Sequence, residues 1–179
     1  MGTLSIKQQN EYGAFARFVG RLGTQDEWMS ISSRPVPEPD LLCIHVTDGQ
    51  IAFELVSLTD PAIAEVQAAG ANAFQNAFCT SDPSERIVRN KLHKTYSTNA
   101  RHIELLIYTD GQIITPDDVV VPTVLPWFDT ISHPFKRVWF MGESETRCLW
   151  NASPLSQVAY PNASVHLGQA FGFHNKVKA

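Results

Sequence analysis

Two β-rich runs, residues 40–46 and 50–58, flank the tripeptide Thr47-Asp48-Gly49. Asp-Gly between apolar runs is a strong hairpin signal, because glycine supplies the positive φ that a tight turn needs. This feature constrains the chain most. An antiparallel pair must form here, and its neighbours must build on a sheet. Pro35, Pro37 and Pro39 precede the first run and impose an extended connection, since proline fixes φ and removes a donor.

The same hairpin carries two acids, Asp40 and Glu54, among apolar residues. A two-residue loop, Asp48-Gly49, pairs Thr47 with Gln50 and sets Asp40 across from Ser57. Glu54 then faces Cys43, and the acids point to opposite faces. A three-residue loop, Thr47-Asp48-Gly49, pairs Val46 with Gln50 and sets Asp40 across from Val56. Glu54 is then a diagonal neighbour on the same face, at about 7–8 Å by Cα. A one-residue slip moves every side chain to the other face, so register decides whether the acids converge. The glycine at the end of the tripeptide favours the longer loop.

Around this hairpin the chain alternates helix and strand. Residues 5–22 place Tyr12, Phe15, Phe18, Val19 and Leu22 at helical spacing, with Gly23 to stop the helix. Residues 27–34 alternate weakly as a first strand. Residues 61–79 are Ala-rich and helical. Asp82-Pro83-Ser84-Glu85 reads as N-cap, first-turn proline and capping box for a helix that continues towards Tyr96. Residues 102–109 form a strand that ends in a second Thr-Asp-Gly-Gln-Ile; the repeat is shared turn chemistry, not duplication. Pro122 and Pro126 keep any helix over 117–131 short or kinked. Residues 135–141 and 146–150 are late strands. This order predicts an α/β fold with a mixed central sheet flanked by helices. Length predicts one domain over residues 1–150, with residues 151–179 a tail on or behind it.

Fourteen basic against eighteen acidic residues give a net charge of −4, so nucleic-acid binding by bulk charge has no support. Arg86, Arg89, Lys91, Lys94 and Arg101 form the one basic cluster, suited to phosphates or simply to a solvated helix face. His93 and His102 flank it without metal-ligand spacing. Cys43, Cys79 and Cys148 are too widely spaced for a zinc site and read as reduced thiols. No apolar leader and no run of 18 apolar residues occur, so the expectation is a cytoplasmic protein without a membrane span. Gly-rich phosphate loops and Gly-x-Ser-x-Gly are absent, which leaves acyl transfer without support.

Glu11 on the first helix, Pro39-Asp40 opening a strand, Glu54 in the next strand, then helix and strand, make an ordered set over residues 5–109. In this the chain resembles the PD-(D/E)XK nuclease-like superfamily, whose restriction-endonuclease-like core runs α-β-β-β-α-β. The resemblance implies Mg²⁺-dependent hydrolysis of phosphodiester bonds in DNA. It implies Asp40 and Glu54 as metal ligands with catalytic roles, and Glu11 as a supporting ligand. The family's lysine, two residues after the Glu, is here Val56. A substitute from the following helix is Lys91, nearer the buried stripe of Val88, Leu92 and Tyr96 than Lys94 is. Arg86, Arg89 and Lys94 would then contact DNA. The alternative is an inactive nuclease-fold protein that binds protein or nucleic acid. A third class is a small-molecule pocket on an unrelated α/β fold. Asp40 also fits a plain strand cap, and Glu11 a solvated helix residue; the apolar flanks of Glu54 favour its burial.

Overall fold

Residues 4–60, 63, 82–111, 113 and 115–152 are described in the computed structural model of the chain. Its elements are α1 (Ile6–Leu22), a 3-10 turn (Gln25–Glu27), β1 (Trp28–Ser33), β2 (Leu41–His45) and β3 (Gly49–Leu58), followed by α2 (Ser84–Leu92), β4 (His102–Thr109), α3 (Asp117–Val124), α4 (Trp127–Thr130), β5 (Phe135–Met141) and β6 (Thr146–Asn151). The strands form one six-stranded sheet in chain order. The β1-β2-β3 meander and the β5-β6 pair are antiparallel, while β3-β4 and β4-β5 are parallel. A mixed α/β sheet with flanking helices is thus the architecture expected from the sequence. The Ala-rich segment 61–79, Cys79 and the tail beyond residue 152 lie outside the described residues.

Strand parity sorts the core into two layers. Ile51, Phe53, Leu55, Leu106, Tyr108, Trp139 and Met141 meet Ala14, Phe15, Phe18, Val19 and Leu22 of α1. Ala52, Val56, Leu58, Ile103, Leu105, Ile107, Val138 and Phe140 meet Val88 and Leu92 of α2, Val120, Val121 and Val124 of α3, and Phe128. The central strands β3 and β4 are covered on both faces, which explains their nearly unbroken apolar runs.

Local signals explain where elements start and stop. Ser5 caps α1 in a reciprocal capping box with Gln8, and Gly23 ends it at φ 70°. Asp82 Oδ1 accepts from the Ser84 amide at 2.9 Å, but the N-cap position falls to Pro83, one residue later than the sequence suggests. Glu85 does not close the box; it pairs with Arg89 at 3.2 Å instead. Helix α2 ends at Leu92, one turn short of Tyr96. Pro122 lies inside α3 and Pro126 precedes α4, so the expected interrupted helix is two short ones.

The hairpin departs from the expected register. Ile44 pairs with Gln50 and His45 with Gly49, leaving Val46-Thr47-Asp48 as the loop. Gly49 still holds the positive φ, 73°, but as the first residue of β3. The cause lies in His45. Its Nδ1 accepts from the Asp48 amide at 3.3 Å and meets Thr47 Oγ1 at 3.1 Å, which closes the turn one residue earlier than the glycine rule places it and moves the partner of Gln50 by two, from Val46 to Ile44. The shift is even, so the parity of the three-residue loop survives. Continued by one residue, this register sets Asp40 across from Glu54.

Arg21 of α1 donates to the Gly142 carbonyl at 2.5 Å. Asp117, at the start of α3, accepts from the Ser144 amide at 3.0 Å, the Ser144 hydroxyl at 2.8 Å and the Glu143 amide at 3.3 Å. The β5-β6 turn is therefore gripped from both layers.

Candidate functional site: a cleft of paired carboxylates and lysines

Strand β2 begins at Leu41, opposite Phe53, while β3 runs on to Leu58. Beyond Phe53, β3 has no β2 partner. Asp40 closes the end of the ladder with its side chain: Oδ2 accepts from the Leu55 amide at 3.0 Å. The gap opens a cleft of about 630 Å³ lined by Lys7, Glu11, Asp40, Leu55, Lys91, Lys94 and Tyr108, among others. The irregular end of one short strand thus creates the site.

Two groups of charges meet there. On one side Glu54, fully buried, receives both Lys91 Nζ at 2.5 Å and Lys94 Nζ at 3.0 Å on its Oε1. Two ammoniums on one carboxylate leave one net positive charge on this wall. Among the described residues Glu54 Oε2 takes no lysine, and the buried Tyr96 hydroxyl interacts with the Glu54 carboxylate. Burial, together with the negative charge of Glu54, raises the Tyr96 pKa, so its hydroxyl keeps its proton. On the other side Lys7, in the first turn of α1, bridges Glu11 Oε1 at 2.5 Å and Asp40 Oδ1 at 2.9 Å.

The Glu11 and Asp40 carboxyls are pushed apart in acidity. Burial raises the pKa of Glu11, and the Asp40 charge adds to it against the hydrogen bond from Lys7. Burial acts upward on Asp40 too. There the Lys7 and Leu55 hydrogen bonds and the charge of Lys91 outweigh it, and the net shift is downward. One carboxyl holds its proton more tightly than usual and its neighbour less tightly, an arrangement suited to proton exchange.

Of the residues singled out in the sequence, Glu11, Asp40, Glu54, Lys91 and Lys94 come together. Lys94 joins because α2 stops at Leu92, and the chain beyond it turns back towards the sheet; a helix continued to Tyr96 would carry Lys94 away. Arg86 and Arg89 do not join. They are exposed on α2, and Arg89 stacks over Trp127 at 4.5 Å. The three basic residues assigned to nucleic acid therefore do not share one patch. Lys7 was missed, although Lys7 and Glu11 stand at the i,i+4 spacing that pairs charges on a helix. Val56, at the place of the family's lysine, is packed in the core beneath α2 and α3.

Among the described residues no group of three or more His, Cys, Asp or Glu side chains is arranged to hold a metal ion. Glu11, Asp40 and Glu54 each have an oxygen on a lysine, so a cation would compete with ammoniums already in place. Mg²⁺ at these carboxylates would require the lysines to move off them. No helix among the described residues is long and apolar enough to cross a membrane.

No family model matches the chain, and no curated protein matches it. One solved structure is similar: a protein of unknown function from Pseudomonas aeruginosa strain PAO1, described as Monooxygenase Superfamily. It is 15% identical, covers 83% of this chain and 75% of its own, and has a TM-score of 0.36. That description is not a nuclease. The expected membership of the PD-(D/E)XK superfamily is therefore corrected. With it go phosphodiester hydrolysis and the inactive nuclease-fold module that binds protein or nucleic acid. The likeness is too distant to carry an activity over to this chain.

Proposed function

We propose that the cleft binds a small organic anion, with Lys91 and Lys94 holding the anionic group. The observation that carries this reading is the sharing of one buried carboxylate oxygen by two ammoniums. Glu54 fixes both lysines in place and neutralises only one of them. Each lysine keeps donors that Glu54 does not use, and both line the cleft. Glu11 and Asp40 stand across the cleft as two carboxyls shifted apart in acidity, placed to exchange a proton with what is bound. The volume falls within the range of small-molecule pockets, about 300–1,000 Å³, and exceeds what one inorganic ion needs.

The test is a titration with sodium acetate and with sodium phosphate, followed by amide NMR shifts. Expected is saturable movement at Leu55, Lys91 and Lys94, weakened about threefold to tenfold by Lys94→Met, a loss of about 1 kcal/mol. Absence of any saturable shift at millimolar anion overturns the reading. So does Mg²⁺ binding that Glu54→Ala abolishes, because the carboxylates would then serve a metal.

A further inference from the structure

We infer that the anion this cleft takes carries an alkyl or aryl group, which rests against Ile6 and Val36 while the charge sits on Lys91 and Lys94. The inference rests on the anion reading above and deepens it. Ile6 is 78% exposed and Val36 80%, and both line the same cleft as the lysines. One begins α1 and the other lies in the Pro-rich connection, so they approach the mouth from separate segments. An isolated exposed aliphatic residue needs no explanation. Two that line one cleft, above a wall that includes Leu55 and Tyr108, give it an apolar portion beside a charged one. Leu55 and Tyr108 are themselves buried, at 5% and 7%. Apolar walls with a few placed charges are the usual composition of sites for organic ligands, where apolar area supplies affinity and charge sets orientation.

The arrangement also fixes direction. Lys91 and Lys94 lie with Glu54 on the α2 side, whereas Ile6 and Val36 belong to the α1 side and the Pro-rich connection. Asp40 and Glu11 line the same cleft, so a ligand that spans it shares the space with both carboxyls. A carboxylate with several methylenes or a ring matches this layout; a compact dianion matches only the lysine end.

The experiment compares acetate, butyrate and hexanoate by calorimetry on the full chain, in the parent, in the double variant Ile6→Ser/Val36→Ser, and in Lys94→Met. A fully buried methylene is worth about fourfold in affinity. With partial burial, hexanoate is expected to bind at least about tenfold tighter than acetate. Ile6→Ser/Val36→Ser is expected to remove that gain while leaving acetate unchanged, and Lys94→Met to weaken all three acids alike. Equal affinity for acetate and hexanoate, with both weakened by Lys94→Met, overturns the apolar contact and leaves the anion reading standing. Binding of none of the three acids overturns both. Both substitutions at the mouth are at exposed positions, so circular dichroism is expected to report an unchanged fold.

Discussion

Removing Lys91 and Lys94 together should cost far more than the sum of removing each. Glu54 is fully buried and both lysines contact its Oε1, while their own side chains are 26% and 36% exposed. Lys91→Met or Lys94→Met alone leaves Glu54 with one ammonium, and methionine keeps most of the apolar stem packing. Each single change should therefore cost about 1 kcal/mol, the value of a charged hydrogen bond at a partly exposed donor. The double variant leaves a fully buried carboxylate with no cation. Stripping the partners from such a charge costs about 3–5 kcal/mol. The coupling between the two sites is then about 2 kcal/mol, well above the ~0.5 kcal/mol scatter of independent positions. Urea unfolding of the parent, the two single variants and the double variant at neutral pH closes the cycle. At this chain length, 3–5 kcal/mol corresponds to a fall in Tm of about 10–15 °C. Additive losses would refute the reasoning, because they would mean that Glu54 does not depend on the two lysines jointly.

Three further predictions concern other parts of the molecule. Glu11 has a raised pKa, so the folded state binds its proton more tightly than the unfolded chain. Stability should therefore fall as pH rises from about 4.3 through the raised value, and Glu11→Gln should flatten that part of the curve in urea midpoints taken from pH 4 to 8. Asp40 has a lowered pKa, so its contribution is present above about 3.9 and lost as pH falls through the lowered value; Asp40→Asn should cost about 1–2 kcal/mol at pH 7 and progressively less as the medium is acidified below about 3.9. Gly142→Ala would drive a methyl into the Asp117 carboxylate and break its three bonds to Glu143 and Ser144, at a cost of about 2 kcal/mol in thermal melts. Adding Asp117→Ala should then cost little more; a further full loss would show that the two do not act together.

The element order was legible because each helix and strand carries its own periodicity and caps. The paired acids were legible as acids in apolar runs. The register was not, because His45 overrides the glycine rule through side-chain bonds to Thr47 and Asp48, and a histidine at a strand end announces nothing by itself. Lys94 was misread for a related reason: its placement depends on the helix ending at Leu92, and helix ends are the least certain feature of a sequence. Another buried carboxylate escaped notice altogether. Glu104, in β4, accepts from Trp139 Nε1 at 2.6 Å and meets His102 at 2.9 Å and Arg137 at 3.5 Å. Its partners come from the neighbouring strand β5 and from its own. Arg137 is set beside Glu104 by the parallel pairing of β4 with β5, which the sequence does not announce.

The β5-β6 turn has a consequence for how the protein comes apart. Gly142 and Ser144 are held by Arg21 from the layer on one face of the sheet and by Asp117 from the layer on the other. Peeling either helical layer away must first release this turn, and releasing the turn loosens the other layer as well. The two faces are thus locked like pages by a single clasp, and partial opening on one side alone is suppressed. The cleft, where β3 runs on past the end of β2, sits outside the clasp.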